Sequence, residues 1–409
     1  MRSSRVNLII LFFTLVVVMM GFGMVIPIMP FYVDSFGAGG SALGLLMAEY
    51  ALAQFIFAPI WGELSDRFGR RPVLLLGVLG NALAQLLFGL STQLWMLFVA
   101  RGLAGVLSSA TLPTAMAYIG DSTSEEERGG GMGMIGGAMG IGMVIGPGLG
   151  GWLAGESLSL PFFIAAALSA LALVLIYLIL PESLPAAERS SQRGVVRGPQ
   201  LGELWRALFS PIGILLVMAF VISFGLTNFE SIFGMYALEK FGYGPQQVGT
   251  ILMGIGITSA VVQMALTGPL TRRFGDVQVI RATLLISALG FVLLTFARSY
   301  AGVMATSMFF VLGNAMVRPA VSSLTSKRAA GGQGVAMGLN NAFMSLGRIV
   351  GPIWAGVAID TYIELPYLSG AVVMLIAMLI AIIWLKQTHT PAEGASEAAG
   401  SGAYYPLSR

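Results

Sequence analysis

Twelve stretches of about twenty apolar residues recur along the 409-residue chain, and that recurrence settles what the chain can fold into. They fall near 6–33, 41–61, 73–91, 94–118, 130–153, 161–180, 211–236, 247–268, 278–297, 301–323, 335–358 and 366–385. A bilayer's hydrocarbon core is about 30 Å thick and a helix rises about 1.5 Å per residue, so each run has the length of one spanning helix. The runs at 94–118 and 301–323 each carry an arginine, and 211–236 carries a glutamate. The loops on either side require these crossings all the same. Charged residues make up only 10% of the chain, against roughly a quarter in soluble domains. A surface with so few charges is one that meets lipid. The 54 glycines suit such a bundle, because small residues let helix backbones approach where no hydrophobic drive brings them together.

Several chemistries are excluded at once. The chain has no cysteine and a single histidine, His389, in its polar C-terminal tail. Thiol catalysis, disulfides, zinc binding and histidine catalysis have no residues to use. No metal and no cofactor are expected, and no enzymatic activity. The net charge of +3 does not point to nucleic acid, because the basic residues sit in short loops between apolar runs. The first run, Val6 to Tyr32, exceeds a signal-peptide core and lacks a cleavage site after it, so it reads as a retained helix.

The basic residues also set an orientation. With a cytoplasmic N-terminus, seventeen of the 22 Lys and Arg fall on the inner side, among them Arg67, Arg70, Arg71, Arg128, Arg272 and Arg273. Two, Lys240 and Arg298, fall outside, and Arg101, Arg318 and Arg348 lie within spans. Positive charge is retained on the cytoplasmic side, so both termini are expected inside a bacterial cytoplasmic membrane.

The chain divides as an N-terminal six-helix bundle (1–181), a polar cytoplasmic linker (182–210), a C-terminal six-helix bundle (211–386) and a disordered tail (387–409), rich in Ala, Gly, Ser and Glu. The halves repeat. Gly62-Glu-Leu-Ser-Asp66-Arg67-Phe-Gly69 returns as Gly268-Pro-Leu-Thr-Arg-Arg-Phe-Gly275, and Gly142-x-x-x-Gly146-Pro147 returns as Gly347-x-x-x-Gly351-Pro352. Both copies keep the same orientation, which predicts parallel halves about an axis along the membrane normal.

The loop from Gly62 through Asp66, Arg67, Gly69, Arg70 and Arg71 to Pro72 resembles the signature loop of the major facilitator superfamily. The fifth run, with Gly142, Gly146, Pro147, Gly150 and Gly151, is similar to the pattern that marks antiporters in that family. Val317-Arg318-Pro319 and Gly338-Leu-Asn340-Asn341-Ala-Phe343 resemble the tenth and eleventh helices of its Gram-positive multidrug and quinolone efflux pumps. The resemblance runs from about residue 6 to 385. It implies two rocking six-helix bundles, gating by the charged loop, by the fifth-run stripe of Gly142, Gly146, Pro147, Gly150 and Gly151 and by Arg318, a likeness to monomeric carriers, and exchange of protons for amphipathic, often cationic drugs and dyes. Nothing resembles a phosphate-binding loop, so a proton gradient rather than ATP is the expected energy source. A carrier of a single metabolite on the same scaffold is the alternative, and a non-transporting sensor a remoter one.

Ionisable groups inside a membrane are costly and mark function. Glu230, in a Phe-rich stretch of the seventh run, is the leading candidate for proton coupling: a carboxyl in an apolar cavity can bind and release protons near neutral pH, and its charge attracts cations. Arg101, similar to a family arginine tied to proton transfer, either tunes a nearby carboxyl or bonds carbonyls of the broken first helix. Two departures stand out. Asn314 occupies the place of an aspartate in the similar pumps and cannot titrate. Glu49 and Arg348 stand where those pumps carry small or neutral residues, and Glu49 pairs either with Arg348 across the halves in one conformational state or with Arg101 within its own half. Tyr50, Gln54, Phe229, Phe233, Asn314, Asn340, Asn341, Phe343 and Arg348 are expected, with Glu230, to line the substrate cavity.

Overall fold

The computed structural model describes residues 2–187, 189, 201–329 and 332–385. Among them twelve helices are long and apolar enough to cross a membrane, one for each predicted run. We number them α1 (Val6–Ser35), α2 (Gly40–Phe68), α3 (Arg70–Leu90), α4 (Leu94–Ser122), α5 (Glu126–Ala154), α6 (Leu160–Ile179), α7 (Gly213–Phe241), α8 (Pro245–Phe274), α9 (Asp276–Phe296), α10 (Tyr300–Lys327), α11 (Gln333–Thr361) and α12 (Leu365–Trp384). A 3₁₀ turn at Ser108–Ala110 interrupts α4, and a π-helical stretch at Val262–Thr267 interrupts α8. The described residues contain no strand. In a membrane this follows from backbone chemistry, since a helix bonds every N–H and C=O within itself.

Tight reversals at α2–α3 and α8–α9 rest on Gly69 and Gly275, at φ +103° and +80°, where a side chain would be strained. The segment predicted as a linker contains a short helix, Leu201–Leu208. Its Leu204 and Ala207 are buried while Trp205 is exposed. Most of the remaining linker and the tail from Gln387 onward, with Arg193, Arg197 and His389, lie outside the described residues.

Within each half the same contact recurs. On α5, Gly142 and Gly146 leave room for the backbone of α1 at Met19, Met20 and Gly23. On α11, Gly347 and Gly351 do the same for α7 at Phe220, Phe224 and Thr227. The Thr227 hydroxyl donates to the Gly347 carbonyl at 3.3 Å. The repeat predicted from spacing is therefore a structural one.

Among the described residues the halves meet toward one end. A Cβ on Gly151 of α5 would strike Gly249 and the Pro245 carbonyl of α8, and one on Gly44 of α2 would strike the Pro352 carbonyl of α11. Trp152 Nε1 donates to Thr250 Oγ1 at 2.9 Å. Asp360, near the end of α11, caps α2: Gly40 N–H donates to it at 2.6 Å and Ser41 N–H at 2.8 Å, and the Ser41 hydroxyl also donates to it. A carboxylate at a helix N-terminus meets both free N–H groups and the positive end of the helix dipole. At the opposite end, which bears the basic loops, Gly62 of α2, Gly136 and Gly140 of α5 and Gly338 of α11 have open space beside them among the described residues. The structure is thus closed at one end and open at the other.

Asp360→Ala removes the cap without touching the glycine contacts. After solvent screening the loss is about 1–2 kcal/mol, which shifts the equilibrium toward opening of this end by roughly 5–30-fold. The chain has no native cysteine, so spin labels on cysteines introduced at Leu45 and Tyr362 report only on this gap. An unchanged distance distribution in Asp360→Ala would show that the cap does not hold the end shut.

Candidate functional site

The basic loop folds around Arg70. Its guanidinium reaches Asp66 at 2.6 Å, Asp121 at the end of α4 at 2.9 Å and the Ser65 hydroxyl at 2.7 Å. Arg67 pairs with Glu63 one turn away. Glu182, after α6, accepts from the Arg70 N–H at 2.8 Å and caps α3, with Arg189 at 3.8 Å. Arg71 donates to the Tyr177 carbonyl and lies over its ring. These contacts tie α2, α3, α4 and the end of α6 together within the N-terminal half.

The second half carries the counterpart with its charges exchanged. Asp276 opens α9 as Arg70 opens α3, and Lys327 closes α10 as Asp121 closes α4. Asp276 and Lys327 pair at 2.6 Å. Asp121, Asp276 and Lys327 were not among the predicted site residues. Carrying the 206-residue offset beyond the motif itself leads to all of them, because 70 maps to 276 and 121 to 327.

Between the halves lies a cavity with charged walls. On the N-terminal wall Arg101 of α4 is almost fully buried, at 3% exposure. Its guanidinium lies 4.7 Å from the Tyr50 ring centre and 5.7 Å from that of Phe22, and donates to the Met47 sulfur at 3.1 Å. Arg101 thus stacks on aromatic rings instead of bonding carbonyls of α1. Glu49 faces α4, where a Cβ on Gly102 would come within 2.7 Å of Oε1. Arg101 is its cationic neighbour.

On the C-terminal wall, Glu230 shares a helical face with Gly234, one turn further on, which packs against Pro30 of α1. Glu230 therefore stands where the halves meet. Arg318 of α10 is the charge acting on it, and Arg318 in turn acts on Arg348 of α11, which neighbours Tyr50. Arg318 is exposed in the cavity and Arg348 half-buried. Arg348 donates to Ser345 at 2.9 Å. Asn340 and Ser322 line a small pocket beside Arg318. Among the described residues, none of Glu49, Arg101, Glu230, Arg318 and Arg348 has an ion-pair partner. The cross-half Glu49–Arg348 pair is therefore not formed in this conformation, which brings Glu49 and Arg101 into proximity instead.

Other expected lining residues separate by depth. Phe229 and Phe233 are wholly buried, at 0% exposure. Phe229 stacks 4.8 Å from Phe310 and lies 5.9 Å from Tyr367. They are core of the C-terminal half, a correction to the expectation that they line the cavity. Asn314, Asn340 and Phe343 are also buried, Tyr50 and Gln54 half-buried and Asn341 exposed. On α5, Gly142, Gly146 and Gly150 face α1 while Gly151 faces α8. The predicted gating stripe thus serves both packing within a half and contact between halves.

Two parallel six-helix halves around a charged central cavity, closed at one end, define a membrane transporter rather than an enzyme. The model of the Major Facilitator Superfamily matches residues 11–244 and again 215–405. The chain belongs to that family. It is 33% identical over 393 residues to Multidrug resistance protein 1 of Bacillus subtilis (strain 168), covering 96% of this chain and 100% of that one. It is 30% identical over 380 residues to Quinolone resistance protein NorA of Staphylococcus aureus (strain N315), covering 92% and 96%. The solved nucleoside transporter NupG superposes with a TM-score of 0.75 at 14% identity, over 95% of this chain and 100% of that one. It shares the fold.

The Arg101 stack yields a stability prediction. A desolvated cation–π contact contributes about 1–2 kcal/mol. In a double-mutant cycle of Arg101→Met and Tyr50→Leu, thermal unfolding in detergent should show a coupling of that size. Additive effects would mean that the ring and the guanidinium act independently.

Proposed function

We propose that this protein is a multidrug exporter that uses an inward proton gradient to expel amphipathic, often cationic drugs and dyes, and that it works by alternating access as a monomer in a bacterial cytoplasmic membrane. With the basic loops and both termini on the cytoplasmic side, the open end faces the cytoplasm and the capped end faces outward. The conformation is then the one that loads substrate from within. The observation that carries the reading is Glu230: a carboxyl at the meeting of the halves, in the open cavity, without an ion-pair partner among the described residues.

Its chemistry suits exchange. A proton and a cationic substrate compete for one carboxylate, so binding of one favours release of the other. Glu49 beside Arg101 is a second group able to take a proton, on the opposite wall. Asn314 cannot titrate, which leaves Glu230 the main coupling group on the C-terminal wall. The names of the Bacillus and Staphylococcus relatives, at 33% and 30% identity across nearly the whole chain, support drugs as substrates over one metabolite. The pivoting halves move as units because the pairs of Arg70 with Asp66 and Asp121 and of Asp276 with Lys327 each lie within one half. The loop around Asp66 and Arg70 then acts as a clamp that keeps the N-terminal half rigid while the cavity opens.

In inverted vesicles with an imposed pH gradient, Glu230→Gln should reduce proton-driven rhodamine 6G transport at least tenfold. Downhill counterflow of a neutral dye such as Nile red, which needs neither the proton nor the carboxylate, should persist. Undiminished gradient-driven transport in Glu230→Gln would remove this residue as the coupling group. A sensitivity screen in a pump-deleted host complements it: protection against several unrelated dyes is expected, and protection against none would favour a single-metabolite carrier.

A further inference from the structure

The cavity holds more fixed positive charge than negative. Arg101 and Glu49 belong to its N-terminal wall, Arg101 buried behind the surface, and Arg318, Arg348 and Glu230 to its C-terminal wall, and arginine stays protonated at any physiological pH. With both carboxylates ionised the excess is one positive charge; with both protonated it is three. Arg101 lies on aromatic rings and a thioether sulfur. The other two guanidinium groups share the C-terminal wall: Arg348 stands one turn after Met344 on α11, Met344 and Arg318 line one pocket, and the two arginines act on each other as like charges. A guanidinium has five N–H donors. Arg348 places one on Ser345 at 2.9 Å, and Arg318 has no hydrogen-bond or ion-pair partner among the described residues. Residue 314, one turn before Arg318 on α10, is a neutral asparagine, so the carboxylate that acts on Arg318 is Glu230 of α7, which forms no ion pair with it. The buried Asn340 beside Arg318 leaves its side-chain oxygen without a partner while its nitrogen donates to Ser322 at 3.3 Å. Apolar Ile222 and Met344 border the same pocket.

We propose that Arg318 and Arg348 form an anion subsite in the central cavity, and that the molecules carried there include amphipathic organic acids whose carboxylate, sulfonate or phosphate group bridges the two guanidinium groups. The proposal rests on reading this cavity as the transport site. A planar guanidinium offers paired donors that match such an oxyanion. A bridging anion also relieves the repulsion between the two arginines. A purely cationic substrate would instead meet this wall with the wrong sign, and Glu230 alone would have to hold it.

Fluorescein and rhodamine 6G share a xanthene body and carry opposite charge, so they isolate the contribution of charge. The full chain in phosphatidylcholine nanodiscs should bind fluorescein saturably in fluorescence polarisation. Arg348→Met and Arg318→Met should each weaken fluorescein at least tenfold and leave rhodamine 6G binding equal or tighter. The lysine variants, which keep charge but lose the planar fork, should fall between. If either methionine variant is not monodisperse, the corresponding Arg→Gln is read in its place. Competitive displacement of fluorescein by added phosphatidylglycerol would support the subsite with a lipid phosphate as its anion; failure to displace would support a soluble acid. Absence of saturable fluorescein binding, or fluorescein affinity unchanged in both arginine variants, overturns the proposal. Gradient-driven rhodamine 6G transport is read separately. Its absence in wild type counts against the exporter reading and leaves the subsite standing, whereas transport without fluorescein binding does the reverse.

Discussion

Backbone contact between glycines of the two halves is the constraint on which the arrangement depends. Gly151 meets Gly249, and Gly44 meets Gly356 and the Pro352 carbonyl, with no side chain between them. In lipid there is no hydrophobic drive to bring helices together, so association rests on close van der Waals contact and on weak Cα–H···O interactions. Both need small residues. Gly151 and Gly356 stand 205 residues apart, the spacing of the repeated Gly-Pro motif, so the two contacts are pseudo-symmetric copies. They lie at one end of the molecule, where they form a dry pivot. The cavity exists because the other end has no such contact among the described residues.

The ion pairs complement that pivot by their placement. Arg70 binds Asp66 and Asp121, and Asp276 binds Lys327, each within one half. Opening and closing of this end therefore need not break either pair. The two copies keep the geometry and exchange the signs of the charges. What the duplication preserved is an ion pair joining the start of one helix to the end of the next, not the identity of its residues. Glu182 extends the clamp by capping α3 from beyond α6, so part of the segment that reads as linker belongs to the N-terminal half.

Most of the fold was legible because bilayer thickness leaves few choices for runs of this length. The helices nevertheless extend past the apolar runs: α2 continues to Phe68, α8 to Phe274 and α10 to Lys327. A helix keeps its own hydrogen bonds beyond the hydrocarbon, where polar side chains become tolerable, so hydropathy alone ends each span early. The site was legible by residue type and less so by direction. Intramembrane charge singled out Glu49, Glu230, Arg318 and Arg348, which are at least partly exposed between the halves, and Arg101, which lies buried behind Tyr50. Phe229 and Phe233 were misplaced because α7 is apolar on nearly every face, which leaves no periodic signal to separate core from cavity. The Asp360 cap joins positions 320 residues apart, and no local pattern announces such a contact.

The unpaired charges of the cavity are tolerable in this conformation because the open end admits water. Closing that end without filling the cavity would strand Glu49, Glu230, Arg318 and Arg348 in a region of low dielectric, at several kcal/mol for each charge left uncompensated. On the transport reading this makes the empty, closed cavity the least favourable state. Protonation neutralises Glu230 and Glu49 but leaves the arginines charged, so a proton alone does not remove the penalty. An anionic or zwitterionic substrate compensates the arginines, and re-pairing of Glu49 with Arg348 would do so in its absence. Passage through the closed state is then limited to combinations that balance charge, and the same residues that bind substrate also suppress movement of the empty carrier. On that reading, the excess of arginine over glutamate decides which loads allow the two halves to close.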